Sequence, residues 1–139
     1  MKVVLDQRAV DALGGPDTAA KRRVRQAMMA ADRLGRETVV PTVILAELYR
    51  GSGRNQMVDA LLSREEQALV LRDTDRVLAR LVGGVLAAVD SGSEDLADAH
   101  VVATAVEAGG GVLLTGDVDD LERLAEPFRT VVVEGLPSQ

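Results

Sequence analysis

The chain has 139 residues, 47% of them hydrophobic and 27% charged, which suits one globular domain spanning residues 1–139 around one core. It holds no cysteine and one histidine, excluding disulfides, thiolate zinc sites, a cysteine nucleophile and any two-histidine metal motif. The longest run without charged or strongly polar groups, Leu81–Val89, is far short of the roughly 20 residues that span a bilayer.

Asp6 interrupts any signal-peptide apolar region, so the expectation is a soluble cytoplasmic protein with no membrane partner. The net charge of −6 is uneven along the chain. Residues 1–64 hold 11 Lys and Arg against 7 Asp and Glu, whereas residues 65–139 hold 5 against 15. So acidic a protein has no overall attraction for nucleic acid, and would need a local basic face or bound cations to meet it.

In chain order, Val3-Val4-Leu5 reads as a short buried strand, followed by a helix to Leu13 and a turn at Gly14-Gly15-Pro16. Asp17 or Thr18 can cap a helix that carries Lys21, Arg22, Arg23 and Arg25 and ends near Gly35. Its basic cluster reads equally as a phosphate-binding edge or as a solvated face. Thr38-Val39-Val40 is a second strand, and Pro41 suits the first turn of a helix through Val43 to Arg50. A short helix from about Gln56 to Leu62 precedes a third strand at Ala68–Leu71.

Thr74 is placed to cap a helix whose apolar residues Val77, Leu78, Leu81, Val82, Val85 and Leu86 recur at helical spacing. After Ser91-Gly92-Ser93, a helix from about Glu94 to Ala108 leads through Gly109–Gly111 to a fourth strand, Val112–Thr115. A short acidic helix from Asp117 to about Ala125 and a strand at Thr130–Val133 complete the pattern. Strands without alternation, separated by helices, predict an α/β sandwich of three layers, with about five parallel strands covered on both faces.

Open parallel sheets gather functional groups beyond the carboxyl ends of their strands. Asp6 directly follows the first strand, and Asp117 stands two residues after Thr115 in the fourth. Glu47 lies inside an apolar helical run, and Asp98 begins the small-residue face Ala99-Val101-Val102-Ala105. A buried carboxylate is costly unless it is paired or binds a metal. Asp95 and Asp120 lie one helical turn from Asp98 and Asp117. Any one of these acids reads more simply as a solvated helix-terminal residue. Were four to converge, they would need a hard divalent cation, Mg²⁺ or Mn²⁺, with oxygen ligands.

Taken together, Val3-Val4-Leu5-Asp6, Val43-Ile44-Leu45-Ala46-Glu47-Leu48-Tyr49-Arg50, Asp95-Leu96-Ala97-Asp98-Ala99-His100 and Leu114-Thr115-Gly116-Asp117 resemble the motifs of the PIN-domain nucleases. Within these the chain is most similar to the VapC toxins of bacterial toxin–antitoxin pairs, with the motifs in order from residue 2 to about 133. The resemblance implies a Mg²⁺- or Mn²⁺-dependent endoribonuclease with Asp6, Glu47, Asp98 and Asp117 as metal ligands and catalytic residues. Thr115 matches the family's hydroxyl beside the site, and Asp120 its frequent fifth acid. It further implies a VapB-like antitoxin partner, an RNA substrate and a homodimer.

The chain departs from the family pattern at Gln7-Arg8, where a small hydroxyl residue usually follows the first Asp. Gln7 could donate to a bound water and Arg8 could meet a phosphate, or their bulk could narrow the site. Arg50, one turn beyond Glu47, is expected to orient that carboxylate. His100 is expected to face solvent or a partner, because its i, i+2 spacing from Asp98 puts it on another face of the helix. Met28 and Met29 are expected in the core or at a dimer contact.

Other classes fit less well. A haloacid-dehalogenase-type phosphatase needs a second Asp where Arg8 stands, and a receiver domain needs a late Lys, yet no Lys occurs beyond residue 21. The remaining alternative is a catalytically weak or inactive PIN-like module that binds RNA or a protein partner.

Overall fold

The structure, a computed structural model, describes residues 1–138. Five strands form one all-parallel sheet: β1 (Lys2–Leu5), β2 (Thr38–Pro41), β3 (Leu69–Arg72), β4 (Gly111–Thr115) and β5 (Val131–Gly135), in the order β3-β2-β1-β4-β5. Seven helices connect the strands among the described residues. α1 (Gln7–Gly14) and α2 (Ala19–Arg33) lie between β1 and β2, and α3 (Thr42–Leu48) and α4 (Ser52–Arg64) between β2 and β3. α5 (Arg76–Ala88) and α6 (Leu96–Glu107) link β3 to β4, and α7 (Val118–Ala125) links β4 to β5. No helix is long and apolar enough to cross a membrane among the described residues.

Strand position explains strand composition. β2 is buried along its whole length, and β1 and β4 nearly so, while β3 and β5 at the edges each bury only one residue. Val4, Leu5, Leu113 and Leu114 are fully enclosed and form the centre of the core. α6 is enclosed almost throughout, every residue from Ala99 to Ala105 being buried. Its small side chains let it lie against β1, β2 and β4 on one side and against α5 and α7 on others. Gly111 gives the sheet its close approach, because a Cβ there would come within 2.3 Å of the Lys2 carbonyl oxygen.

Several boundaries differ from those the sequence predicts. α4 spans 13 residues from Ser52, not a short segment from Gln56, because Gly51 at φ +107° turns the chain straight into it. Asp75, not Thr74, caps α5, accepting from the Leu78 N–H at 2.9 Å. Residues Ser93–Asp95 wind as a separate 3₁₀ turn ahead of α6. Met28 is in the core, whereas Met29 is exposed.

The basic cluster of α2 is neither a bare phosphate edge nor a simply solvated face. Lys21 donates to the Gly15 carbonyl at 2.8 Å, Arg22 meets Asp17 at 2.9 Å, and Arg23 meets Glu134. Arg25 binds Glu65 through two parallel bonds of 2.8 and 2.7 Å, and Glu65 is buried at the end of α4. This pair holds the Glu65 carboxyl below its usual range.

The two classes of ion pair should separate on mutation. Arg25→Ala strands the buried Glu65 charge and should cost about 2–3 kcal/mol. Arg22→Ala removes an exposed pair and should cost less than about 0.5 kcal/mol. Urea denaturation of the two variants checks this, and equal losses would show that the Glu65 carboxylate is not dependent on Arg25.

Candidate metal centre

The strand order reverses at β1, since the chain proceeds from β1 through β2 to β3 and then returns to place β4 on the other side of β1. Such a reversal opens a crevice beyond the strand ends, because the connections that follow β1 and β4 leave in different directions. Asp6 follows β1 and Thr115-Gly116-Asp117 ends β4, so the crevice is lined by acids before any helix contributes.

Asp6 is 5% exposed, yet its carboxylate is well supplied with donors. One oxygen caps α1 by accepting from the Ala9 N–H at 3.0 Å. The other accepts from the Thr115 hydroxyl at 2.6 Å and the Gly116 N–H at 3.2 Å. Thr115, fully buried, accepts in turn from the Asp117 N–H at 2.8 Å. Burial raises the Asp6 pKa, and these donors pull against it. Asp117 is exposed at the N-cap of α7. A side chain at residue 116 would collide with Arg8 at about 2.6 Å, so only glycine lets Arg8 lie across the turn that carries Asp117.

Glu47 is half-buried near the end of α3, and Asp98 is half-buried in the first turn of α6. Asp98 is the group under most electrostatic pressure. Its pKa rises to about 6, first through burial and then through the negative charges of Asp6, Asp117, Asp120 and Glu47. The structure thus brings all four acids expected from the sequence, and the fifth, into one field centred on Asp98. No side-chain donor or cation reaches the Asp98 carboxylate among the described residues. Single carboxylate oxygens of Asp95, Asp98 and Asp120 all lie within 4.8 Å of one another.

Asp95 differs from the others. Its carboxylate accepts from the Ser91 hydroxyl and from Arg123 at 2.9 Å, which holds its pKa low. Arg123 also stands 3.7 Å from Asp120. Hydrogen bonding and repulsion from Asp117 nevertheless raise the Asp120 pKa. The sequence gives no sign of the Asp95–Arg123 pair, whose members are 28 residues apart.

Two expectations are corrected. Arg50 does not hold Glu47; it donates to the carbonyls of Ala46 at 2.8 Å and Tyr49 at 3.2 Å, closing the end of α3, whose last carbonyls otherwise lack donors. His100 is buried at 4% exposure, not solvent- or partner-facing, because α6 has no open side at that position. Its Nδ1–H donates to the Leu96 carbonyl at 2.8 Å, and its Nε2 has no protein partner. Neither residue is arranged for proton transfer in the crevice.

The donor set fits a hard divalent cation. It is all oxygen and strongly anionic, and its central member carries a raised pKa with no compensating charge. Asp95, Asp98 and Asp120 offer oxygens close enough together to share such an ion, and Asp6, Glu47 and Asp117 add negative charge around Asp98.

Asp98 has a testable effect on stability. Its folded pKa of about 6 exceeds the ordinary 3.8, so the folded protein holds this proton more tightly than the unfolded chain does. Its contribution to stability falls as pH rises from about 4 to 6, and the penalty is complete above that. In EDTA at pH 7, Asp98→Asn should therefore be more stable than wild type by about 1–2 kcal/mol, allowing for solvent screening. Near pH 4 the difference should vanish. A mutant melting below wild type at pH 7 would make Asp98 a structural hydrogen-bonding residue.

No family model matches the sequence, and no curated protein matches it. Among solved structures, the chain is similar to one from the crystal structure of VapBC2 from Rickettsia felis bound to a DNA fragment from their promoter. The superposition has a TM-score of 0.67, covers 99% of this chain and 100% of the other, and pairs residues that are 15% identical. The likeness establishes a shared architecture: the five-stranded parallel sheet with its flanking helices is a PIN-like fold.

Proposed function

We propose that this chain is a divalent-cation-dependent endoribonuclease, acting as the toxin of a toxin–antitoxin pair. The observation that carries the proposal is Asp98, held without a counter-charge among carboxylates from four other points of the chain at the sheet's switch point. Structural stability alone would not favour that convergence. Asp6, Glu47, Asp98 and Asp117 would hold Mg²⁺ or Mn²⁺, with Asp120 beside them. A bound cation of this kind supplies positive charge to activate water against a phosphodiester and to offset charge on the leaving oxygen.

The remaining tasks fall to this chain's own side chains. Thr115 keeps the Asp6 carboxylate fixed by donating to one of its oxygens. Arg8, exposed and without an intramolecular ion pair among the described residues, lies over Gly116 where it can meet a substrate phosphate. The likeness to a VapBC2 chain supports a VapB-like antitoxin as partner, and the proposal extends to a homodimer acting on RNA in the cytoplasm. A PIN-like module that binds RNA without cutting it remains the second reading, favoured by the bulk of Gln7 and Arg8 beside Asp6.

Incubation of the protein with structured RNA, in Mn²⁺ or Mg²⁺ and in EDTA, distinguishes the two. Cleavage should require the cation and should disappear in Asp98→Asn. Cation binding should strengthen between pH 5 and 7, because Asp98 must lose its proton to become a ligand. Cleavage that persists in EDTA or in the mutant overturns the metal-site assignment, and binding without cleavage selects the second reading.

Arg8→Ala should weaken RNA binding and reduce the dependence of log affinity on log salt by about 0.7, the contribution of one phosphate contact on a single strand. Arg22→Ala, on a residue already paired with Asp17, should leave that slope nearly unchanged. Equal slopes for Arg8→Ala and wild type would remove Arg8 from the RNA path.

A further inference from the structure

Among the described residues, Arg123 is the cation that ion-pairs with carboxylates of the acidic crevice. Arg123 lies in the last turn of α7 and reaches back across the crevice margin. It binds Asp95, just ahead of α6, at 2.9 Å and stands 3.7 Å from Asp120 on its own helix. The Asp95 carboxylate is nearly buried, at 12% side-chain exposure, and also accepts from the Ser91 hydroxyl. One guanidinium therefore joins the segment that launches Asp98 to the helix that carries Asp117 and Asp120. Three carboxylates of these two segments, Asp95, Asp98 and Asp120, offer oxygens within 4.8 Å of one another.

We propose that Arg123 is a positioning residue for the cation site: a built-in counter-charge that holds α6 against α7 before any cation arrives, and whose field weakens the site's hold on cations. The inference rests on the reading of the crevice as a divalent-cation site. Arg suits the task because its planar fork satisfies a carboxylate with fixed geometry while its charge reaches a second acid. The two effects follow from one charge. Without a cation, the guanidinium offsets repulsion between the helices. With a cation, the same guanidinium is a like charge nearby, so the two are negatively coupled.

The test uses Mn²⁺ alone, with no RNA, on wild type, Arg123→Gln and Arg123→Lys. In EDTA, Arg123→Gln should melt lower by about 3–5 °C, an ordinary response to losing one partly buried ion pair. In saturating Mn²⁺ that gap should close, and titration calorimetry should give Mn²⁺ binding tighter by about fivefold, the lower end of a typical coupling. Arg123→Lys keeps the charge and should stay close to wild type in affinity.

A purely structural Arg123 predicts something different: the same loss of melting temperature with and without Mn²⁺, and unchanged affinity. That result, or weaker binding in Arg123→Gln, overturns the inference while leaving the cation site intact. An Arg123→Gln protein that folds only with Mn²⁺ supports it, and one that folds under neither condition overturns it. If Mn²⁺ neither binds nor stabilises wild type, the cation reading itself fails and this inference falls with it.

Discussion

At the point where β1 hands over to α1, a carboxylate with almost no access to water is held by donors from two distant parts of the chain. The Thr115 hydroxyl and the Gly116 N–H reach Asp6 from the end of β4, and the Ala9 N–H reaches it from α1. Much of the molecule depends on this arrangement. It stops β1, starts α1, fixes the loop after β4 and, through Thr115, orients the Asp117 backbone. An unsatisfied carboxylate in that position would be costly to bury, so the ends of β1 and β4 must stay in register for the chain to fold. The register of Leu5 opposite Leu114 delivers that.

Electrostatics then divides the molecule into compensated and uncompensated regions. The positive surplus of residues 1–64 is partly neutralised by acids from the later half of the chain, Glu65 and Glu134. On the opposite margin, Arg72 is bound by both Asp75 and Glu107. The crevice is the exception. Among the described residues its carboxylates meet one ion-paired guanidinium, Arg123 at the rim, and their repulsion bears on Asp98. Elsewhere the partly buried carboxylates Glu65, Glu107 and Glu134 each meet an arginine, which makes the unpaired, half-buried Asp98 conspicuous.

The architecture was legible in the sequence because β-branched runs and helical periodicities alternate cleanly, and a buried parallel strand needs little else. The places of the four acids in the fold were legible too, with Asp6 and Asp117 just beyond strand ends and Glu47 and Asp98 on helices. What escaped was set by tertiary neighbours. His100 lies on a helix enclosed on nearly every side, which the local i, i+2 spacing cannot reveal. Arg50 is near Glu47 in sequence, but the carbonyls at the end of α3 compete for it and win. The Asp75 cap and the longer α4 were decided between adjacent residues with similar preferences. Arg123 looks like any surface arginine until α6 and α7 are placed side by side.

The bond between Thr115 and Asp6 spans 109 positions of the chain. During synthesis from the amino terminus, Asp6 and Glu47 emerge early, yet the acids from α7 and the hydroxyl that secures Asp6 arrive only in the last quarter. Until β4 slots in beside β1, Asp6 lacks two of its donors and Asp98 has no fixed relation to Asp117. A nascent or truncated chain ending before Thr115 therefore lacks an assembled crevice, however much of the remaining sheet has formed. The order of translation therefore delays the completed acidic centre until β4 and α7 have been made.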